Sequence, residues 1–332
     1  MKEYEIRPEE LLSKYIELSN YDAESFFTNK VFEESLCIAC GGNSTYKFTK
    51  NNFSYCECND CKTLYLNPRP SLEVFKDFYQ HSKSCKYWAE IFYPVVAEIR
   101  REKIIKPRVK KLASLLGKVD LNVKSIIDVG AGYGIFLDEW RKISPDAELL
   151  AIEPSSNMAN KCRENRILTV ENIVENVQGY TDSADLVVCF EVLEHVSNPL
   201  DFMAALSKLA KPGGYVFVST LSVDGFDLQV LREKSSQISP PHHINFLSIM
   251  GLRKLFGRAN MFNVMITTPG QLDVDIVRNA MKKDSSLLEG QSFLKNLLAD
   301  DGHAQAFQIF LSEQCLSSHA WVLARKPELG GE

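Results

Sequence analysis

Glu194 and His195 are adjacent residues able to handle a proton, and they stand just beyond an apolar run that ends at Phe190. A free histidine titrates near neutral pH and can take a proton from a hydroxyl or an activated carbon, which makes His195 the first candidate for a general base. A second polar group, Pro240-Pro241-His242-His243-Ile244-Asn245-Phe246, reads as a loop before a helix that Ser248 can cap. His243 is the candidate to meet His195 across a pocket. Further upstream, Ile126-Ile127 runs into Asp128-Val129-Gly130-Ala131-Gly132-Tyr133-Gly134. An apolar run emptying into close-spaced glycines is a buried strand ending in a turn, where the backbone can approach a ligand. Ile135 occupies the position at which a dinucleotide fingerprint needs its third glycine, and no Gly-Lys-Ser/Thr follows. The turn therefore points to an adenosine-like ligand without a pyrophosphate. Leu149-Leu150-Ala151-Ile152-Glu153 is a second strand closed by a carboxylate that can accept hydrogen bonds from both ribose hydroxyls.

The cysteines carry a different chemistry. Cys37-x2-Cys40 is followed seventeen residues later by Cys58-x2-Cys61, with Gly41-Gly42 directly after the first pair. Two such knuckles bring four thiolates into a tetrahedron, the pattern of a zinc ribbon. Four thiolates leave no open position for water, so the ion would be structural rather than catalytic. Cys56 competes with Cys58 for membership, but its spacing to Cys61 suits a knuckle less well.

These residues need elements to hold them. Periodic apolar positions over residues 8 to 36 read as short helices leading into the ribbon, and residues 1–70 form the expected small domain. Residues 71–120 read as connecting helices, with a dense aromatic group including Tyr79, Trp88, Phe92 and Tyr93. The basic stretch from Arg100 to Lys111 reads as the solvated side of one of them. From residue 121 to 332 the pattern alternates strand and helix, predicting a parallel sheet with helices on both faces. Strands are expected near 124–129, 148–153, 167–170, 185–190, 214–220, 261–267 and 318–325. Between the last two lies an insertion at about 270–317. Its first segment, Thr268 to Asp275, offers Asp273 and Asp275 as partners for a polyhydroxylated substrate.

The stretch from Asp128 through Glu153 to Phe190-Glu191-Val192-Leu193-Glu194-His195-Val196, with Lys211-Pro212-Gly213-Gly214 beyond it, closely resembles the class I S-adenosylmethionine-dependent methyltransferases. The resemblance implies an α/β, Rossmann-like seven-stranded fold, here with an N-terminal zinc ribbon, whose last two strands form the antiparallel end of the sheet. It implies cofactor contacts from Asp128, Gly130, Ala131, Gly132, Gly134, Glu153 and Glu191, with Glu171 and Asn172 near the adenine. Catalysis falls to His195, assisted by Glu194 and His243. The ribbon together with the His-Ile-Asn-Phe and Leu-Asp-Val-Asp segments resembles methyltransferases of deoxysugar and surface-carbohydrate pathways. That resemblance favours a sugar acceptor, O-methylation ahead of C-methylation because the long additional carboxyl-terminal domain is missing. A quinone or lipid-like acceptor is the alternative, and a nucleic acid or protein held by the ribbon is a third.

Composition bounds these readings. At 332 residues, 45% apolar and 24% charged, the chain is an ordinary globular protein with room for a sizeable core. A net charge of -5 argues against a general nucleic-acid groove. No segment reaches transmembrane length and no signal peptide opens the sequence, so the cytoplasm is the expected location. A homo-oligomer is compatible with everything above.

Overall fold

The computed structural model describes residues 2–328. Its central sheet contains β1 (Ser125–Val129), β2 (Glu148–Ile152), β3 (Leu168–Val170), β4 (Ala184–Phe190), β5 (Ala210–Leu221), β6 (Phe262–Thr267) and β7 (His319–Arg325). The strands hydrogen-bond in the order β6-β7-β5-β4-β1-β2-β3. β1 to β5 are parallel, whereas β7 is antiparallel to both β5 and β6. Only β7 is thus reversed, rather than the last two strands together. The cause is the connection: β6 and β7 are the arms of one long hairpin whose ends meet where Ser317 N donates to Thr268 Oγ1 at 3.3 Å.

Alternate residues of each strand feed opposite layers. Ile127, Val187, Cys189, Val216 and Val218 pack under the helices Pro199–Leu209 and Ile249–Arg258. Ile126, Leu186, Val188 and Phe217 pack on the other face with Leu112, Leu116, Phe136 and Trp140. Burying each such side chain stabilises the sheet by about 1.5–3 kcal/mol. No helix among the described residues is long and apolar enough to cross a membrane.

The amino-terminal region departs from the expectation of short helices, because one helix spans Glu9–Phe27. The ribbon strands Ser44–Lys50 and Phe53–Cys58 are joined by Asn51 and Asn52, both left-handed at φ 48° and 64°, the conformation a tight hairpin needs. Leu64–Leu66 continues this sheet, and its edge is completed by Asn245–Phe246 from the large unit. Phe53, Tyr55, Leu66, Phe75 and Phe78 share one apolar cluster with Leu221, Ile244 and Phe246. From Lys83 to Gly117 the chain stays helical but widens into π-turns at Trp88–Phe92 and Arg101–Ile105. A π-turn holds one residue more per hydrogen-bonded ring, so it changes which side chains face inward beyond it.

The insertion folds as three helices, Asp273–Lys283, Ser292–Ala299 and Asp301–Glu313, against Leu231 and Phe226. Beneath them Asp227 is fully buried with neither carboxylate oxygen hydrogen-bonded among the described residues. Burial, followed by the Asp273 charge, pushes its carboxyl from 3.8 up to about 8. A carboxyl raised in this way contributes stability that is complete below its unfolded value and lost as pH rises through its folded one. Asp227→Asn cannot ionise, so its melting temperature should gain on wild type from about pH 5 to pH 8. A difference between the two proteins that stays constant over this range would refute the assignment.

Candidate functional site

The site lies at the carboxyl ends of β1, β2, β4 and β5. β1 delivers Asp128 and then the turn Gly130–Gly134, which leads into the helix Ile135–Ile143. Gly130 and Gly132 are left-handed at φ 72° and 56°. A Cβ on Gly130 would meet Val192 Cγ2 at 2.5 Å, whereas the same position on Gly132 meets nothing within 4 Å. Gly130 is thus required for packing, and Gly132 leaves the backbone open to a ligand. Gly132 N donates to Glu153 Oε2 at 2.7 Å and Ser155 N to Oε1 at 2.9 Å, which fixes the carboxylate at the end of β2. Asp128 is 2% exposed and its Oδ1 has no partner. Burial, then the charge of Glu153, pushes Asp128 up to about 8, and burial pushes Glu153 to about 7. Two buried carboxyls with spare acceptor capacity and no ion pair among the described residues suit a ligand carrying donors and positive charge. Glu171 and Asn172 stand exposed beyond β3, where Arg163 pairs with Glu171 at 3.0 Å and Asn172 Oδ1 accepts from Ile173 N at 2.9 Å.

The second half of the site follows β4. Glu191 adopts φ 55°, an uncommon conformation for a residue with a side chain. Its Oε1 accepts from Ser219 Oγ at 2.6 Å and from Arg108 Nη2 at 3.3 Å, with His319 Nδ1 at 3.4 Å. Burial opposes its ionisation, but His319, Arg108 and Ser219 together hold it at about 2. Glu194 behaves in the opposite way: burial first, then the Glu191 charge, pushes it up to about 8, leaving it protonated near neutrality. Thr220 Oγ1 donates to Glu194 Oε2 at 2.8 Å.

His195 Nδ1 lies 3.0 Å from the carbonyl of His242, and His243 Nδ1 lies 2.6 Å from that of Gln237. A carbonyl can only accept, so each Nδ1 carries the proton and each Nε2 keeps its lone pair. The two rings are 4.8 Å apart, and a ligand-capable atom from each of Glu194, His195 and His243 lies within 4.8 Å of the others. Burial lowers His195 to about 4 and His243 to about 3, so both are neutral at physiological pH. The cluster places an acid that holds its proton beside two imidazoles able to receive one. Around it stand aromatic rings, with Tyr79 at 6.5 Å from His195, Tyr15 at 5.2 Å from His242, and Trp88 stacked on Phe92 at 4.4 Å.

The four ribbon cysteines also converge. Cys37 Sγ is 3.5 Å from Cys61 Sγ, Cys40 Sγ is 3.4 Å from Cys58 Sγ, and all four sulfurs lie within 4.8 Å of one another. A tetrahedral zinc with bonds near 2.3 Å separates its sulfurs by about 3.8 Å, so the donor set and spacing fit that ion. Cys56 stands apart, with its Sγ 3.5 Å from the carbonyl of Asn67.

Residues 96–265, just over half of the chain, match the family described as Methyltransferase domain. The chain belongs to that methyltransferase family. A ubiquinone biosynthesis O-methyltransferase of Methylococcus capsulatus is 39% identical over 107 residues, covering 30% of this chain and 44% of that protein. A mitochondrial one of Dictyostelium discoideum is 36% identical over 141 residues, covering 37% of this chain and 42% of that protein. The methyltransferase thus spans less than half the length of these curated relatives. A solved structure from Thermotoga maritima, described as a SAM-dependent methyltransferase and possible histamine N-methyltransferase, is 16% identical with a TM-score of 0.45, covering 72% of this chain and 99% of that chain. The methyl donor of the domain is S-adenosylmethionine.

Several features of the methyltransferase differ from the sequence reading. Asp273 is committed to Ser317 Oγ at 2.6 Å, Ser318 N at 2.7 Å and Gln308 Nε2 at 2.8 Å, while Asp275 takes Glu3 N at 2.8 Å. Neither is free for a substrate. The basic stretch is not simply a solvated face, since Arg101 pairs with Asp138 at 2.6 Å and Arg108 turns inward to Glu191. Arg108 and His319 carry no local sequence signal, because one sits in a charged helix and the other begins an apolar strand. Asn245, inside the flagged loop, holds the turn that carries Glu194 and His195 by donating to the carbonyls of Leu193 at 2.9 Å and Val196 at 2.7 Å.

Proposed function

We propose that the protein transfers a methyl group from S-adenosylmethionine to a hydroxyl of a small aromatic acceptor, of the quinone-precursor kind, with His195 as general base. The observation that carries this reading is the imidazole of His195, held by its Nδ1 on a backbone carbonyl so that its Nε2 keeps its lone pair, with the Tyr79 ring 6.5 Å away. The relatives named for ubiquinone biosynthesis O-methylation support it, and the quinone alternative accordingly fits better than the sugar. The withdrawal of Asp273 and Asp275 into structural bonds also removes the groups that favoured a polyhydroxylated acceptor.

S-adenosylmethionine supplies an electrophilic methyl on a sulfonium. Asp128 and Glu153 bind its donors, and Gly130, Ala131, Gly132 and Gly134 let the backbone pass beside it. Glu191 completes that side through its fixed negative charge, and Glu171 with Asn172 edges the adenine position. His195 Nε2 takes the hydroxyl proton as the acceptor oxygen becomes nucleophilic, and protonated Glu194 orients a second oxygen of the acceptor. His243 lines the same position. Most of the remaining rate comes from holding the acceptor in line and excluding water. The ribbon of residues 1–70 holds one structural zinc through Cys37, Cys40, Cys58 and Cys61. Residues 71–120 form the aromatic and basic wall, and residues 121–332 the transferase unit.

Incubating the protein with S-adenosylmethionine and methylcatechol, protocatechuate or thymidine diphosphate glucose separates the acceptors. The expected result is a methylated phenolic oxygen with matching formation of S-adenosylhomocysteine. Methylation of the sugar nucleotide with none of either catechol would overturn the aromatic reading.

A further inference from the structure

Three guanidinium groups gather around Glu191 and the neighbouring histidines, Arg100 and Arg108 from one long helical stretch and Arg7 from the amino-terminal segment. Arg7 Nη2 lies 3.4 Å from Gln237 Oε1, on the residue whose carbonyl receives the His243 proton. Arg108 Nη2 lies 3.3 Å from Glu191 and 3.4 Å from His319 Nε2, and its Cζ is 4.8 Å from the centre of the Phe190 ring. Arg100 ends the helix Tyr93–Arg100, which packs against the short helix Glu3–Ile6 just before Arg7. Its Cζ is 5.7 Å from the centre of the Tyr93 ring, and its side chain reaches the Tyr93 hydroxyl.

The charges do not cancel. Glu191 faces Arg108, and Glu3 lies 3.7 Å from Arg7, but no carboxylate is within ion-pair distance of Arg100 among the described residues. Burial lowers the tendency of Arg100 to stay charged, Tyr93 and Glu191 oppose that effect, and the like charges of Arg7 and Arg108 add to it. Three cations beside two carboxylates leave a net positive charge that a further anion would balance. Arg100 is half-buried as a residue, and its planar N–H fork has the geometry to pair with a planar anionic partner.

We infer that Arg100, flanked by Arg7 and Arg108, docks an anionic group of the methyl acceptor, either a carboxylate or a phosphate. The inference rests on the acceptor binding beside His195 as proposed above, and it narrows that acceptor from any hydroxylated ring to one carrying a negative charge. Titration calorimetry on the full chain saturated with S-adenosylhomocysteine tests it with protocatechuate, the neutral methylcatechol of the same ring, and inorganic pyrophosphate.

At least one anion should bind about ten-fold or more tightly than methylcatechol, as hydrogen bonds to a charge allow. Arg100→Gln should remove that preference and Arg100→Lys should keep part of it, both with unchanged S-adenosylhomocysteine affinity. Preference for protocatechuate identifies a carboxylate acceptor, and preference for pyrophosphate a phosphorylated one. Equal binding of anions and methylcatechol, or a preference that survives Arg100→Gln, overturns the inference. If methylcatechol is methylated as well as protocatechuate is, the subsite fails while the aromatic reading stands. If anion binding depends on Arg100 but neither catechol is methylated, the subsite stands and the aromatic reading fails.

Discussion

His195→Ala is expected to lower kcat by about two to four powers of ten, the usual contribution of a well-placed general base, while S-adenosylmethionine affinity stays unchanged. The separation follows from the layout, because the donor-binding carboxyls stand at β1 and β2, whereas His195 follows β4 and is held by the His242 carbonyl. His195→Gln preserves much of the side-chain volume but cannot take the proton, so it should show a loss of similar size. Burial depresses the His195 imidazole from 6.5 to about 4. Protonation therefore disables the base only at pH values well below 6.5, and the acid limb of kcat should lie there. Near wild-type rates in both variants, or an acid limb at the ordinary histidine value, would leave positioning alone as the mechanism.

Removing zinc should have the second large effect, because the ribbon braces the catalytic loop as well as itself. Tyr55 Oη donates to the His243 carbonyl at 2.6 Å, Leu66 N donates to the Ile244 carbonyl at 2.8 Å, and Ser248 Oγ donates to the Cys61 carbonyl. Structural zinc contributes about 10–16 kcal/mol in isolated finger peptides at neutral pH, far more than a ribbon of this size could replace by burial. Metal analysis should return one zinc per chain. Chelation or Cys61→Ser should lower the melting temperature and kcat together, with donor affinity falling less because Asp128 and Glu153 are held by the central sheet. A zinc-free protein of unchanged melting temperature would refute the metal site.

Much of this architecture was legible because its signals are local. Short apolar runs marked the strands of the central sheet, since its inner strands are buried on both faces. The glycine turn and the acids at Asp128 and Glu153 follow directly from two of those strands, so sequence order alone brings them to one end of the sheet. The paired cysteine knuckles were readable for a similar reason, whereas the choice of Cys58 over Cys56 was not: Cys58 ends its strand with its sulfur among the other three, and the Cys56 sulfur lies at the Asn67 carbonyl.

What sequence could not decide is which distant side chains share a space. His195 and His243 are separated by more than forty residues, and only the strand Asn245–Phe246, borrowed by the ribbon sheet, brings the second histidine back over the first. The inward turn of Arg100 and Arg108 was hidden because a charged helix has the same composition whichever side faces water, and the π-turns displace its simple helical period. Asp273 looked available because a Pro-Gly turn precedes it, yet the tertiary hairpin closes Ser317 and Ser318 onto its oxygens. Sequence by itself determined the sheet, the glycine turn and the cysteine spacing, because each depends on neighbours along the chain. Tertiary structure alone decided the partners of His195, the charge surrounding the acceptor and the brace beneath the loop, because those depend on burial and on contacts between segments far apart.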